Sequence, residues 1–179
     1  MEISLSSLEK KVLLARNSDA PPLHLWQPPL SGDIDIQIDR EGVWYHEGIR
    51  IQRAPLVNLF ASILRRETDG EYYLVTPVEK WRIQVALHPL MVIDVNQVQR
   101  EQGEHLEVVL NTGRTVRVDD EHPLSLDPVE EGIPVVALPH GLSALFSRAA
   151  WYRLVDLAYE EEGRVAVRSG NRDYVLQEA

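Results

Sequence analysis

Asp33-Ile34-Asp35-Ile36-Gln37-Ile38-Asp39 alternates without a break. Ile34, Ile36 and Ile38 fall on one side of an extended chain, and Asp33, Asp35, Gln37 and Asp39 fall on the other. A period of two is that of a strand with one face buried and one face wet. Downstream, Arg40-Glu41-Gly42 turns the chain into Val43–His46, and Glu47-Gly48 turns it again into Ile49–Ile51, giving a three-strand antiparallel meander. Pro55 suits a first helical turn, and Leu56, Leu59, Phe60, Ile63 and Leu64 recur at helical spacing. That pattern predicts a helix over Pro55–Arg66, stopped by Thr68-Asp69-Gly70. Tyr72–Thr76 and Lys80–Leu87 then read as strands on either side of Pro77. Upstream, Ser4–Arg16 reads as an amphipathic docking helix with capping-box spacing at Ser6 and Glu9. Asn17–Pro22 follows as a breaker-rich linker.

The remainder repeats this order. Leu90–Val98, Leu106–Leu110, Thr115–Val118 and Ile133–Leu138 read as strands, with Asn111-Thr112-Gly113 as a hairpin turn. Gly141–Tyr159 is predicted to be the longest helix, and Arg164–Ser169 and Asp173–Gln177 close the chain as a hairpin across Gly170-Asn171. A short motif supports duplication. Glu47-Gly48-Ile49 precedes Pro55 and Leu59-Phe60, and Glu131-Gly132-Ile133 precedes Pro139 and Leu145-Phe146. The expected fold is an internally duplicated α+β protein, each half carrying a small antiparallel sheet and one main helix. Residues 1–22 form an N-terminal helix and linker, 23–88 the first half, and 89–179 the second.

Composition narrows the function. Of 179 residues, 44% are hydrophobic and 26% charged, close to globular averages. There is no cysteine, so disulfides, thiolate metal sites and cysteine nucleophiles are excluded. The N-terminus lacks the charge-then-apolar order of a secretory signal, and the nearly uncharged stretch Ile133–Ser147 is too short and proline-broken to span a bilayer. A soluble, cytoplasmic protein without membrane insertion is expected. A net charge of −10 disfavours nucleic acid as a partner. No histidine spacing suits zinc, and no serine elbow, phosphate loop or dinucleotide fingerprint is present. His140 and Ser143, near in sequence, do not make a dyad by proximity alone. No catalytic residue, metal or cofactor is assigned.

Several stretches bring a family to mind by their residues: His24-Leu25-Trp26-Gln27-Pro28-Pro29 with Gly32–Ile36, Gly42-Val43-Trp44-Tyr45, Leu64-Arg65-Arg66-Glu67, and Tyr73–Lys80. With Glu121-His122-Pro123-Leu124 and Gly141-Leu142 through Leu145, Arg148, Tyr152, Leu154 and Val155, the chain from about Leu23 to Leu176 resembles the bacterial domain of unknown function 1285. It departs at Pro139-His140, where that family tends to carry Arg-Gly. The resemblance implies a duplicated core with a C-terminal half superficially like pleckstrin-homology domains, a binding site where the halves meet, and a signalling role.

Candidate residues follow from the residues themselves. Asp33 and Asp35 share a strand face, suited to a divalent cation or to arginines from a neighbouring element, or simply to solvent. Arg65 and Arg66 are expected at the end of the first helix, where cations suit the dipole and where guanidinium forks take carboxylates. Arg50 and Arg53 would complete a four-arginine cluster. Thr76, Glu79 and Lys80 flank the break at Pro77, either a binding loop or a sheet corner. Trp44 is an interface anchor or core, and Arg148 and Tyr152 lie four apart on one helix face. The leading reading is a binding module that holds a protein segment or small charged ligand in a crevice between the halves. Alanine at Arg65 or Arg66 would then weaken binding and leave the melting temperature nearly unchanged. The alternatives are a hydrolase or transferase using Asp33, Asp35 or Glu79, with or without a metal, and nucleic-acid binding.

Overall fold

The computed structural model describes residues 4–15, 21–101 and 103–177. Arg16 and most of the expected linker, Asn17–Ala20, lie outside the described residues. The chain divides into two compact units, Met1–Leu87 with His140–Leu142, and His88–Pro139 with Ser143–Ala179.

The first unit contains α1 (Leu5–Ala15), β1 (Leu30–Ile38), β2 (Trp44–His46), β3 (Ile49–Arg50), α2 (Ala54–Ser62), β4 (Leu64–Arg66), β5 (Tyr72–Val75) and β6 (Lys80–Val85). Its sheet has the order β3-β2-β1-β6-β5-β4. The alternation read in the sequence is real: Ile34, Ile36 and Ile38 are buried and the residues between them exposed. Glu47 and Gly48 both take positive φ, as a two-residue hairpin whose twist matches its strands demands. β1 and β6 are parallel neighbours, so the sheet is mixed rather than wholly antiparallel. Trp44 and Phe60 pack with ring centroids 6.4 Å apart at the centre of the core. Burial of each such side chain is worth about 1.5–3 kcal/mol. α1 adds Leu8 and Val12, both fully buried.

The expected helix Pro55–Arg66 stops early. Ile63 leaves helical geometry, and Leu64–Arg66 instead pairs with Tyr72–Leu74 as β4. The cause is tertiary. β5 is buried along its whole length and lies inside the sheet, so its backbone groups need a partner strand on each side. β6 serves one edge and β4 the other.

The second unit contains β7 (Leu90–Arg100), β8 (Gly103–Leu110), β9 (Thr115–Arg117), β10 (Leu124–Leu126), β11 (Pro134–Ala137), β12 (Ser143–Phe146) and α3 (Arg148–Asp156). A separate small sheet follows, of β13 (Tyr159–Glu161), β14 (Arg164–Ser169) and β15 (Arg172–Gln177). The six-stranded sheet has the order β10-β11-β12-β7-β8-β9, and β12 runs parallel to β7. The expected helix Gly141–Tyr159 is therefore two elements. Ser143–Phe146 is a strand, and Ser147 is the N-cap of α3, its side chain accepting from the Ala150 N–H at 3.3 Å.

The duplication is visible in the pairings. Numbered within each half, both sheets read third-second-first-sixth-fifth-fourth, with first and sixth strands parallel and every other pair antiparallel. The halves differ in where the helix falls: α2 lies between the third and fourth strands, and α3 after the sixth. The sequence motif that suggested the repeat is out of register with it. Leu59-Phe60 is helical and Leu145-Phe146 is in a strand. The topological counterpart of the Glu47-Gly48 turn is the turn at Asn111-Thr112-Gly113, not Glu131-Gly132.

The small sheet is fastened to the second half by its hairpin end. Ser169 Oγ donates to Val118 O at 2.6 Å and accepts from Leu106 N at 2.9 Å, and Gly170 N donates to Glu104 O at 2.7 Å.

Candidate functional site

Most of the charged residues singled out in the sequence are committed to partners within the first half. Arg65 is 8% exposed. Its guanidinium donates to the carbonyls of Leu23 and Trp26, each at 2.9 Å, and to Glu67 Oε1 at 2.5 Å. It thereby ties the proline-rich lead-in to β4, which explains how that segment is held to the sheet. Glu67 also takes Lys80 Nζ at 2.8 Å, and Lys80 lies 4.7 Å from the Tyr73 ring centre. Burial pushes the Glu67 carboxyl up, but Lys80 and Arg65 together outweigh it and hold the group below its ordinary range.

Asp33 forms a bidentate pair with Arg82, at 2.8 and 3.0 Å, with both side chains open to solvent. The Arg82 guanidinium lowers its pKa, the opposite of what a general acid requires. Asp35 takes the Gln37 amide at 3.1 Å, and so does not join Asp33 in orienting an arginine. Glu79 holds Lys11 at 2.5 Å and the Trp81 indole at 3.4 Å. Thr76 is buried, and its hydroxyl accepts from Glu79 N at 3.1 Å, so the segment after β5 is a hydrogen-bonded corner. Trp44 is 2% exposed and belongs to the core. Arg66 lies over the Tyr72 ring at 5.3 Å and donates to Gly70 O.

The expected four-arginine cluster is not assembled. Arg50 lies on β3 and Arg65 and Arg66 on β4, which are opposite edges of the same sheet. Arg53 pairs with Glu9 at 3.0 Å. Arg50 alone of the four carries no ion pair or hydrogen bond among the described residues. It lines a groove of about 370 Å³ bounded by α1, the β2–β3 hairpin and the start of α2. Leu5, Ile49, Ile51 and Leu56 supply apolar wall, and Ile49 is 72% exposed. Ile49 thus sets an exposed aliphatic side chain beside a cation at the rim of the groove. The sequence named Arg50 but gave no sign of the groove, because α1 and α2 close it through tertiary packing.

In the second half Arg148 and Tyr152 share a helix face, as their spacing requires. Tyr152 is 57% and Val155 44% exposed, while α3 buries only Ala150 and Leu154. Three residues dispersed in sequence also meet there: His88 Nδ1 lies 2.7 Å from Ser143 Oγ, and His88 Nε2 lies 2.8 Å from Asp127 Oδ2. An ionised carboxylate only accepts, so Nε2 carries a proton. In acyl-transfer triads the nucleophile faces Nε2 and the carboxylate Nδ1; here the ring is reversed. Asp127 also accepts from Val129 N at 3.0 Å and Glu130 N at 2.6 Å. These bonds make the group a joint that pins the turn after β10 to the start of β12. Proximity in sequence to His140 does not make a dyad, and the histidine that meets Ser143 is His88, 55 positions away. In the loop Asp119-Asp120-Glu121-His122, Asp119 Oδ1 accepts from the N–H groups of Glu121 and His122 at 3.0 and 2.9 Å, and Asp120 takes Arg172 of β15 at 2.5 Å. No group of three or more metal-ligating side chains lies among the described residues, and no described helix is long and apolar enough to cross a membrane.

Comparison with known proteins agrees with this architecture. Residues 21–86 match the model described as "Domain of unknown function (DUF1285), N-terminal domain", and residues 89–176 match "Protein of unknown function (DUF1285), C-terminal domain". A crystal structure of a DUF1285 family protein from Silicibacter pomeroyi DSS-3 superposes with a TM-score of 0.87 at 34% identity, covering 99% of this chain and 97% of that one. A second, from Shewanella baltica OS155, gives a TM-score of 0.56 at 32% identity over 68% of this chain and 90% of that one. No curated protein matches. With both family models matched in order and the fold shared over nearly its full length, the chain belongs to the DUF1285 family.

Proposed function

We propose that this chain is a binding module for a short protein segment, and that the segment lies in the first-half groove between α1, the β2–β3 hairpin and α2. The observation that carries this reading is the pairing of exposed Ile49 with unpaired Arg50 on the rim of an apolar-walled groove. An aliphatic side chain of the ligand covers Ile49, and a neighbouring carboxylate takes the Arg50 fork. The ligand is thus an acidic-aliphatic segment recognised within the first half. Occupancy rather than turnover is its output, which suits the signalling role that the family resemblance implies. The carboxylates proposed for hydrolase chemistry support that alternative less well, because Asp33 is solvent-exposed and held ionised.

Selection of a random peptide display library on the immobilised protein tests this. Wild type should enrich sequences with an acidic residue next to an aliphatic one, and both Arg50→Glu and Ile49→Ser should lose them with unchanged melting temperature. Enrichment that survives both substitutions, or no enrichment on the wild type, would remove the groove as the site.

A further inference from the structure

The outer face of α3 is exposed and carries opposite charges at its two ends. Ala150 and Leu154 point into the core, and at 100° per residue Tyr152 stands opposite their midpoint. Arg148 and Asp156 flank Tyr152 at four residues on either side, and Ala149 and Val155 at three. Arg148, Ala149, Tyr152, Val155 and Asp156 are all exposed. Arg148 and Asp156 make no ion pair or hydrogen bond among the described residues, whereas Arg153 on the same helix pairs with Asp94. The two unpaired charges also oppose the helix. A cation sits on its first residue and an anion on its last, the reverse of what the helix dipole favours. Neither has an ion-pair partner among the described residues.

We propose that this face is the contact between two copies of the chain, paired antiparallel through α3. A two-fold axis level with Tyr152 stacks the two tyrosines and brings Arg148 of each copy level with Asp156 of the other. It also lays each Val155 along the stem of the opposing Arg148. The charges that are wrong for the isolated helix are right for this pair, because in an antiparallel arrangement each helix end faces the opposite end of its neighbour. The occupant follows from that self-complementarity: two equal positive-to-negative contacts arise from one surface. A nine-residue helix offers a small contact, so the dimer is weak and concentration-dependent. This inference is independent of the groove in the first half.

Sedimentation equilibrium on the full chain, from micromolar to millimolar concentration, tests it. The wild-type mass should rise from 20.4 kDa toward twice that value. Arg148→Asp alone and Asp156→Arg alone each place like charges in contact and should weaken association by at least about tenfold. The double variant Arg148→Asp/Asp156→Arg should restore it. Each reversal also corrects a charge against the helix dipole, so melting temperatures should hold or rise, which separates lost association from lost folding. A monomer at every concentration, a dimer indifferent to the single reversals, or a double variant that fails to regain association would overturn the proposal.

Discussion

Arg65 shows what burial does to a residue that looks like a ligand-binding arginine. Its four-residue context, Leu64-Arg65-Arg66-Glu67, reads as two solvent-facing cations with a counter-charge. In the fold the two part company: Arg65 is sealed under the Leu23–Trp26 carbonyls, and its neighbour Arg66 stays exposed. The expectation that alanine at Arg65 leaves stability intact therefore reverses. Arg65→Ala strips the guanidinium donor from the half-buried Trp26 carbonyl, leaves the Leu23 carbonyl with only the Trp26 N–H, and removes one of two cations from Glu67, a loss of about 3 kcal/mol after allowing for the Lys80 contact that remains. Thermal melts should show a fall of roughly 6–12 °C for a chain of this size. Arg66→Ala, which removes an exposed stacking contact on Tyr72 and an exposed hydrogen bond to Gly70 O, should cost no more than about 1 kcal/mol. Equal effects would contradict this division of roles. Adjacent strand positions point to opposite sides, and a sequence read as the end of a helix conceals that alternation.

At the scale of elements, the β14–β15 hairpin shows how a small sheet is held. A two-stranded hairpin is marginal alone, and this one is attached through Ser169 and Gly170 to β8. Gly170 has φ near +61°, and a β-carbon there would come within 2.8 Å of the buried His105 ring. Gly113, in the β8–β9 turn, has φ near +83° with nothing within 4 Å of the same atom. Both positions penalise a side chain through backbone conformation, by about 1–2 kcal/mol. Only Gly170 adds a clash. Gly170→Ala should therefore lower the melting temperature more than Gly113→Ala does, and in hydrogen exchange it should deprotect β14 and β15 first. Equal melts would mean that the His105 ring moves aside freely. The helix boundaries carry a similar lesson. Ser147 caps α3, a boundary that lies inside the single helix expected over Gly141–Tyr159.

For the whole molecule, charge sets the pH response. Asp33, Glu67, Asp69, Asp94, Asp119, Asp127 and Asp173 are all lowered from their ordinary values, and they occur in both halves. The causes differ. Arg168 brings Asp173 down to about 2, whereas at Asp127 burial pushes upward and is outweighed by the Glu130 N–H, His88 and the Val129 N–H. A carboxyl whose pKa is lower folded than unfolded binds its proton preferentially in the unfolded chain. Its contribution is complete above the unfolded value and is lost as pH falls through the folded one. Melting temperature should thus hold steady from neutrality to about pH 5 and drop progressively from there toward pH 2. Tyr73, raised to about 12 chiefly by the hydrogen bond its hydroxyl donates to Asp69, acts in the opposite sense. Its contribution is complete below about pH 10 and is lost as pH rises toward its folded value of about 12. A melting temperature that rises on acidification would show that repulsion among the surplus carboxylates dominates instead.

The strands of Asp33–Asp39, the hairpins, the amphipathic N-terminal helix and the duplicated α+β plan were legible because each depends on local periodicity and turn chemistry. Tertiary structure decided the rest. The parallel closures of β1 on β6 and β12 on β7 join segments dozens of residues apart. Pairing with β5 made a strand of one expected helix end, and pairing with β7 and β11 made a strand of the other. Burial then sorted the candidate residues, sending Arg65, Thr76 and Trp44 inward and leaving Arg50, Ile49 and the α3 face outside. Periodicity reports which face of an element is apolar. It does not report which neighbour covers that face, because that depends on contacts between residues distant in sequence.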